Sequence, residues 1–160
     1  MALETASTEV ISAETLLNHW QGHRRLTRRV IEAFPEDEIF NFSLAGMRPF
    51  SEMAWELIRM TIPVVDGVAT GKWSEYTGAK PASKSELLRL WDAQTASLSE
   101  KFLQIPLHRF SEVDKAFGQW ECSGLFTIQY AIDNEIHHRG QGYVYLRALG
   151  IQPPPFWERN

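Results

Sequence analysis

The segment from Pro49 to about Val64 most limits what this chain can become. Met53, Leu57, Ile58, Ile62 and Val64, with Trp55 and Met60 between them, leave it no polar face, so a helix here has to be covered on nearly every side. Proline suits the first turn of such a helix. Pro63 is expected to bend it or to end its first half. Glu56 stands in the middle of the run, where a lone carboxylate must be protonated, ion-paired or metal-bound.

The rest of the chain supplies the cover. Ser12 caps a helix expected to reach about Phe34 and to stop before Pro35. Leu16, Trp20, Val30 and Phe34 form its apolar stripe, interrupted by His23 and Thr27 where the spacing otherwise predicts core. His19 and His23, four apart, are a potential ligand pair of which only one member easily faces a bundle. Arg24, Arg25, Arg28 and Arg29 read as a solvated basic face. Residues 36–47 read as a loop with Phe40 and Phe42 as lids on the core, and Gly67, Gly71 and Ser74 to Pro81 as an exposed connection.

Ser83-Lys84-Ser85-Glu86 has the spacing of a capping box, and Leu87, Trp91, Leu98 and Phe102 continue from it as a core stripe. Residues 104–121 read as a linker with a short helical turn around Ser111 to Phe117. A last helix from about Ser123 to Leu149 turns Leu125, Ile128, Ile132, Tyr145 and Leu149 inward and stops at Gly150. No strand pattern competes. Helices of this kind joined by polar connections predict an all-α, up-down four-helix bundle in a single domain spanning residues 1–160.

With 160 residues and 44% hydrophobic content the chain can bury a substantial core. No apolar run is long enough for a membrane span, and Met1-Ala2-Leu3-Glu4-Thr5 lacks the charged start and hydrophobic centre of a secretory signal, so a cytoplasmic protein without membrane contact is expected. A net charge of −4 argues against a nucleic-acid partner. Cys122, the single cysteine, excludes an internal disulfide and a multi-cysteine zinc site and reads as a small packed residue.

The densest chemistry lies in Asp133-Asn134-Glu135-Ile136-His137-His138-Arg139-Gly140-Gln141-Gly142. On a helix His138 sits over Asn134 and His137 over Asp133, so each pair offers two donors to one ion. Gly140 and Gly142 interrupt the same helix, which points to a close approach by backbone or ligand. Gln141, one turn beyond His138, is placed to orient its ring, and Arg139 points to another face, toward a neighbouring helix or subunit. Tyr130 and Tyr145 are candidates to line the same cavity.

The run from Asn134 to Gln141, followed by Tyr145-Leu146-Arg147-Ala148-Leu149-Gly150 and Pro153 to Pro155, resembles the last helix of the DinB/YfiT-like family, whose pattern is HxxxHRGQ leading into YLRxLG and a proline. That resemblance implies a dimeric four-helix bundle holding a divalent metal, zinc or nickel, on three histidines, one from the second helix and two from the last. By position those ligands fall on Glu56, Asn134 and His138. Two of the three are not histidine here, so weak or absent metal binding is expected, with His137, Gln141 and His23 as supporting or alternative ligands. The six tryptophans and nine phenylalanines agree with a homodimer. The resemblance implies a metal-dependent transferase or hydrolase acting on a small molecule. The alternative is a non-catalytic bundle that has lost the metal and binds a small ligand or serves dimerisation. Glu56 with His138 could also act as an acid-base pair, or simply bridge two helices.

Overall fold

The computed structural model describes residues 10–160; Met1 to Thr5, read above for a secretory signal, lie outside them. The described chain runs α1 (Ala13–Ala33), α2 (Glu38–Asn41), α3 (Phe50–Thr70), α4 (Lys84–Phe102), a 3-10 turn (Leu107–Phe110), β1 (Val113–Ala116), β2 (Trp120–Ser123) and α5 (Gly124–Ala148). Ser12, Ser83 and Ser123 each accept a backbone N–H bond at the start of α1, α4 and α5. Glu86 reaches back one residue past the N-cap of a strict capping box and takes the N–H of Ala82 at 2.8 Å. Beyond α5, Gly150 adopts a left-handed φ of 77° and the N–H of Ile151 reaches back to the carbonyl of Leu146.

The four long helices form the bundle. α3 packs on α4 and α5, and α1 packs on the same two, so the ring order is α1–α4–α3–α5. Val30 and Phe34 late in α1 share one core cluster with Phe50 and Ala54 early in α3, Leu87 and Trp91 early in α4, and Leu146 late in α5. Leu16, Val68, Phe102 and Ile128, from the other ends, share a second. Hence α1 and α5 run one way and α3 and α4 the other, an up-down-down-up order that the general expectation of an up-down bundle leaves open.

Parallel neighbours require residues 71–83 to carry the chain back along the bundle. They do so on the surface of α3: Trp73 lies against Gly67, Tyr76 meets Trp55 edge-on at 5.6 Å, and Lys80 pairs with Glu52. A Cβ at Gly67 would stand 2.2 Å from the Trp73 ring, so a larger residue there would lift the returning strand of chain off the helix. α3 passes through Pro63 without ending, although the proline leaves the carbonyl of Arg59 without its helical donor.

Two local expectations are corrected. The supposed loop 36–47 holds one helical turn, α2. The helical turn expected at Ser111 to Phe117 lies earlier, directly after Pro106, where proline's fixed φ favours its start, and Val113–Ala116 instead pairs antiparallel with Trp120–Ser123. The hairpin closes on Phe117 and Gly118, both left-handed at φ 52° and 69°. Packing of Phe117 on Trp73, with ring centroids 5.0 Å apart, offsets the strain of a non-glycine residue there.

Candidate functional site

Glu56 projects from α3 toward α5 and is only partly exposed. Asn134 Nδ2 donates to its Oε1 at 3.2 Å, His138 Nε2 lies 3.1 Å from the same oxygen, and Arg48 Nη1 pairs with Oε2 at 2.7 Å. Arg48, in the turn before α3, is positioned in part by Tyr145, whose hydroxyl donates to the Arg48 carbonyl at 2.9 Å. Gln141 Oε1 is 2.8 Å from Nδ1 of His138. Glu56, Asn134, His138 and Gln141 therefore converge at one α3–α5 junction, joined by an arginine that the spacing of ligand positions gave no reason to include.

Burial opposes ionisation of Glu56, but hydrogen bonds from Arg48, Asn134 and His138 together outweigh it and pull the carboxyl pKa from 4.5 down to about 2. A carboxylate held so acidic is a poor proton acceptor near neutral pH, so Glu56 itself is unsuited to act as a general base. Two proton arrangements satisfy the contacts. His138 either carries protons on both ring nitrogens, or the Gln141 amide is turned to donate to Nδ1 while Nε2–H points at Glu56.

The donor set does not fit a firmly held transition metal. One imidazole and one carboxylate are usable, the Asn134 amide presents its NH2 group to Glu56, and a guanidinium already supplies the positive charge at the carboxylate. Among the described residues no three His, Cys, Asp or Glu side chains cluster as a metal would need. The remaining histidines do not complete the set. His137 is exposed on the outer side of α5. His23 is buried on α1 and belongs to a different cluster with His19, which is exposed.

That second cluster crosses the bundle interior, and charge patterning misread it. Arg24 is fully buried rather than part of a solvated basic face: it stacks over Trp91 at 3.8 Å and donates to Thr95, Thr61 and the Trp91 carbonyl. Its phase explains this, since Arg24 lies four residues after Trp20 and three before Thr27, on the inward stripe. Arg25, Arg28 and Arg29 remain outside, bonded to the Arg159 carbonyl, to Asp92 and Glu32, and to Glu158. Glu135, 1% exposed, faces Arg24 and Arg139 at 3.9 and 4.0 Å while accepting from Trp20 Nε1 at 3.1 Å and the Thr27 hydroxyl at 2.7 Å. Arg139 reaches the neighbouring helix α1, donating to Thr27 Oγ1 and to Nδ1 of His23 at 2.9 Å.

Burial, then the charges of Arg139, His19 and Arg159, lowers the His23 pKa from 6.5 to about 3. Guanidinium donors stand at both ring nitrogens, Arg139 at 2.9 Å from Nδ1 and Arg159 at 3.1 Å from Nε2, with His19 Nε2 3.2 Å from the same Nε2. The polar interruptions at His23 and Thr27 thus serve the buried network. The sequence signal for it was present in Arg24, Thr27 and Glu135 at inward phases.

A cavity of about 470 Å³ opens farther along the α3–α5 groove, lined by Val64, Trp120, Cys122, Phe126, Thr127 and Tyr130. Glu56, Met60 and Val64 follow at four-residue steps on α3, and Met60 Sδ touches Asn134 Nδ2 at 3.7 Å, so cluster and cavity share one groove. Tyr145 is not part of this lining; it lies in the core. Cys122 Sγ is 3.1 Å from Thr127 Oγ1.

A helical bundle with a polar side-chain site between its second and last long helices belongs to a broad class that builds binding sites from facing helices. Within that class the chain belongs to the DinB family, whose model it matches over residues 6–159. It is 21% identical over 148 residues to the uncharacterized protein YjoA of Bacillus subtilis (strain 168), covering 91% of this chain and 96% of that protein. The crystal structure of the B. subtilis DinB-like protein YjoA superposes with a TM-score of 0.73, covering 89% of this chain and 96% of the other. A DinB-like protein from Bacillus cereus ATCC 10987, 18% identical, gives 0.72, with 89% and 95% covered. Among the described residues no helix is long and apolar enough to cross a membrane.

Proposed function

We propose that this DinB-family bundle binds a small apolar molecule in the groove between α3 and α5, and that it does so without a tightly held transition metal. The observation that carries the reading is the closure of the Glu56 cluster. Both carboxylate oxygens are bonded, to Arg48 on one side and to Asn134 and His138 on the other. A metal would have to displace a guanidinium at 2.7 Å and turn an amide around. This favours the alternative, a non-catalytic binding bundle, over the metal-dependent transferase or hydrolase that the resemblance implies. The cluster then acts as a polar stop at one end of the groove, and the apolar cavity beside it supplies the volume for a ligand.

The test uses 1-anilinonaphthalene-8-sulfonate as an apolar probe. Saturable one-to-one fluorescence enhancement is expected, and Cys122→Phe, which places a ring into the cavity from β2, should weaken it at least tenfold while the melting temperature stays within a few degrees. Absence of saturable binding, or equal binding by the variant, would remove the reading.

A further inference from the structure

Beyond Gly150 the chain turns back along α5, and a cavity of about 390 Å³ lies between helix and tail. Ile136, Gly140, Tyr143 and Arg147, at steps of four, three and four, put one face of α5 on it. A Cβ on Gly140 would meet no atom within 4 Å, so the space reaches the helix backbone. Pro153 to Pro155 and the rings of Phe156 and Trp157 line the other side, and proline's fixed φ keeps that wall stiff. The tail is also tied down: Tyr143 donates to the Pro154 carbonyl at 2.7 Å, Arg29 to the Glu158 carbonyl at 3.0 Å, and Arg25 to that of Arg159 at 2.9 Å.

The charge on this lining has one sign. Arg139 and Arg147 belong to it, and no Asp or Glu does. Arg147 is exposed and forms no ion pair among the described residues; its guanidinium lies 5.6 Å from the Tyr143 ring centroid. Arg139 is 5% exposed and has five N–H donors. Three are engaged, by the His23 carbonyl, Thr27 Oγ1 and His23 Nδ1, which leaves two, that of Nε among them, without a partner among the described residues. Its countercharge is shared too. Glu135 faces Arg24 as well as Arg139, and Arg159, which forms no ion pair among the described residues, brings a third guanidinium to His23. Excess positive charge at a buried place is costly, and an anion in the cavity would relieve it.

We propose that this cavity binds a planar aromatic carboxylate, with the carboxylate on Arg139 and Arg147 and the ring against the proline wall, Phe156 and Trp157. Guanidinium groups form charge-assisted bonds with a carboxylate, and unused donors beside the space are what such a group satisfies. Stiff apolar walls suit a flat apolar body. An inorganic anion would leave those walls to water, and a neutral ring would leave the donors without an acceptor. The cavity shares no lining residue with the groove beside the Glu56 cluster, so the inference stands whether or not the groove holds a ligand.

Calorimetric titration of the full chain with 2-naphthoate is the test, with 2-naphthamide as the uncharged control and inorganic phosphate as the control without an apolar body. Saturable one-to-one binding of naphthoate is expected, with the amide and phosphate each weaker by about tenfold or more. Arg147→Gln, at an exposed position and checked for folding by circular dichroism, should weaken naphthoate binding about tenfold. Cys122→Phe, which fills the groove cavity instead, should leave it unchanged. Since 1-anilinonaphthalene-8-sulfonate is itself an aromatic anion, its titration of the groove is repeated with naphthoate at saturation, so that failure of one site is distinct from failure of the other. Absence of saturable naphthoate binding overturns the inference. So does equal binding of the amide or of phosphate, indifference to Arg147→Gln, or loss of naphthoate binding in Cys122→Phe.

Discussion

Removing the Glu135 carboxylate should destabilise the fold more than any single truncation at the α3–α5 cluster. Arg24 is fully buried, and burial, opposed mainly by Glu135, lowers its pKa from 12.5 to about 10, so it stays charged at neutral pH. Arg139 is 5% exposed. At separations near 4 Å and an effective dielectric of about 20, each arginine gains about 4 kcal/mol from the carboxylate. That gain roughly offsets the loss of hydration, which is why the intact network need not add net stability. In Glu135→Ala the attraction disappears and the desolvation penalty stays, the Trp20 N–H loses its acceptor, and the Thr27 hydroxyl is left with the His23 carbonyl alone. The expected loss is about 3–5 kcal/mol. For a chain of this length each kcal/mol corresponds to about 2–4 °C, so the melting temperature should fall by about 6–20 °C. Thermal and urea unfolding followed by circular dichroism measure it. Glu135→Gln, which keeps the shape and one acceptor, should fall between parent and alanine. A loss below about 1 kcal/mol for Glu135→Ala would show that the two guanidinium groups find other compensation and that the carboxylate does not hold the network together.

Other expected outcomes concern titration and packing. Because the Glu56 pKa is depressed, its contribution to stability is present above about 4.5 and is lost as pH falls toward about 2; Glu56→Gln should flatten the acid limb of the unfolding curve in that window, and identical parent and variant limbs would contradict the ion pair. His23 is kept neutral in the fold, so the unfolded chain takes up its proton first and stability declines as pH drops from about 6.5 toward about 3. In His23→Gln this part of the decline should vanish, read as melting temperature against pH. Gly142→Ala would set a Cβ 2.6 Å from the Phe50 ring, and a loss of about 1–3 kcal/mol in urea unfolding is expected; an unchanged midpoint would mean the ring moves freely.

Much of the architecture could be read from residues whose signals are local. Ser12, Ser83 and Gly150 mark helix ends through hydrogen bonds to their near neighbours, and Leu87, Trp91, Leu98 and Phe102 declare an inward face by spacing alone. The convergence of Glu56, Asn134 and His138 was also legible, since position within a familiar helix pattern places them. Arg48 was not. It belongs to an irregular turn whose geometry depends on the Tyr145 hydroxyl, 97 residues away, which no local pattern encodes. Arg24 and Glu135 were hidden differently, because composition displays a charge and only the phase of a helix against its neighbours displays the countercharge. The hairpin escaped because its strands are four residues each, too short for alternation to stand out, and its turn uses Phe117 in a conformation that sequence assigns to glycine or asparagine.

The positions where the family resemblance implies three histidines are closed here by an internal ion pair and its hydrogen bonds. Calorimetric titration of the full chain with zinc and with nickel tests this closure most directly, alongside a Glu56→His, Asn134→His variant that restores the histidine pattern and frees Arg48. No stoichiometric binding tighter than about 10 μM is expected of the parent, and sub-micromolar one-to-one binding is expected of the variant, with a melting temperature that rises on metal addition. Stoichiometric sub-micromolar binding by the parent would contradict it.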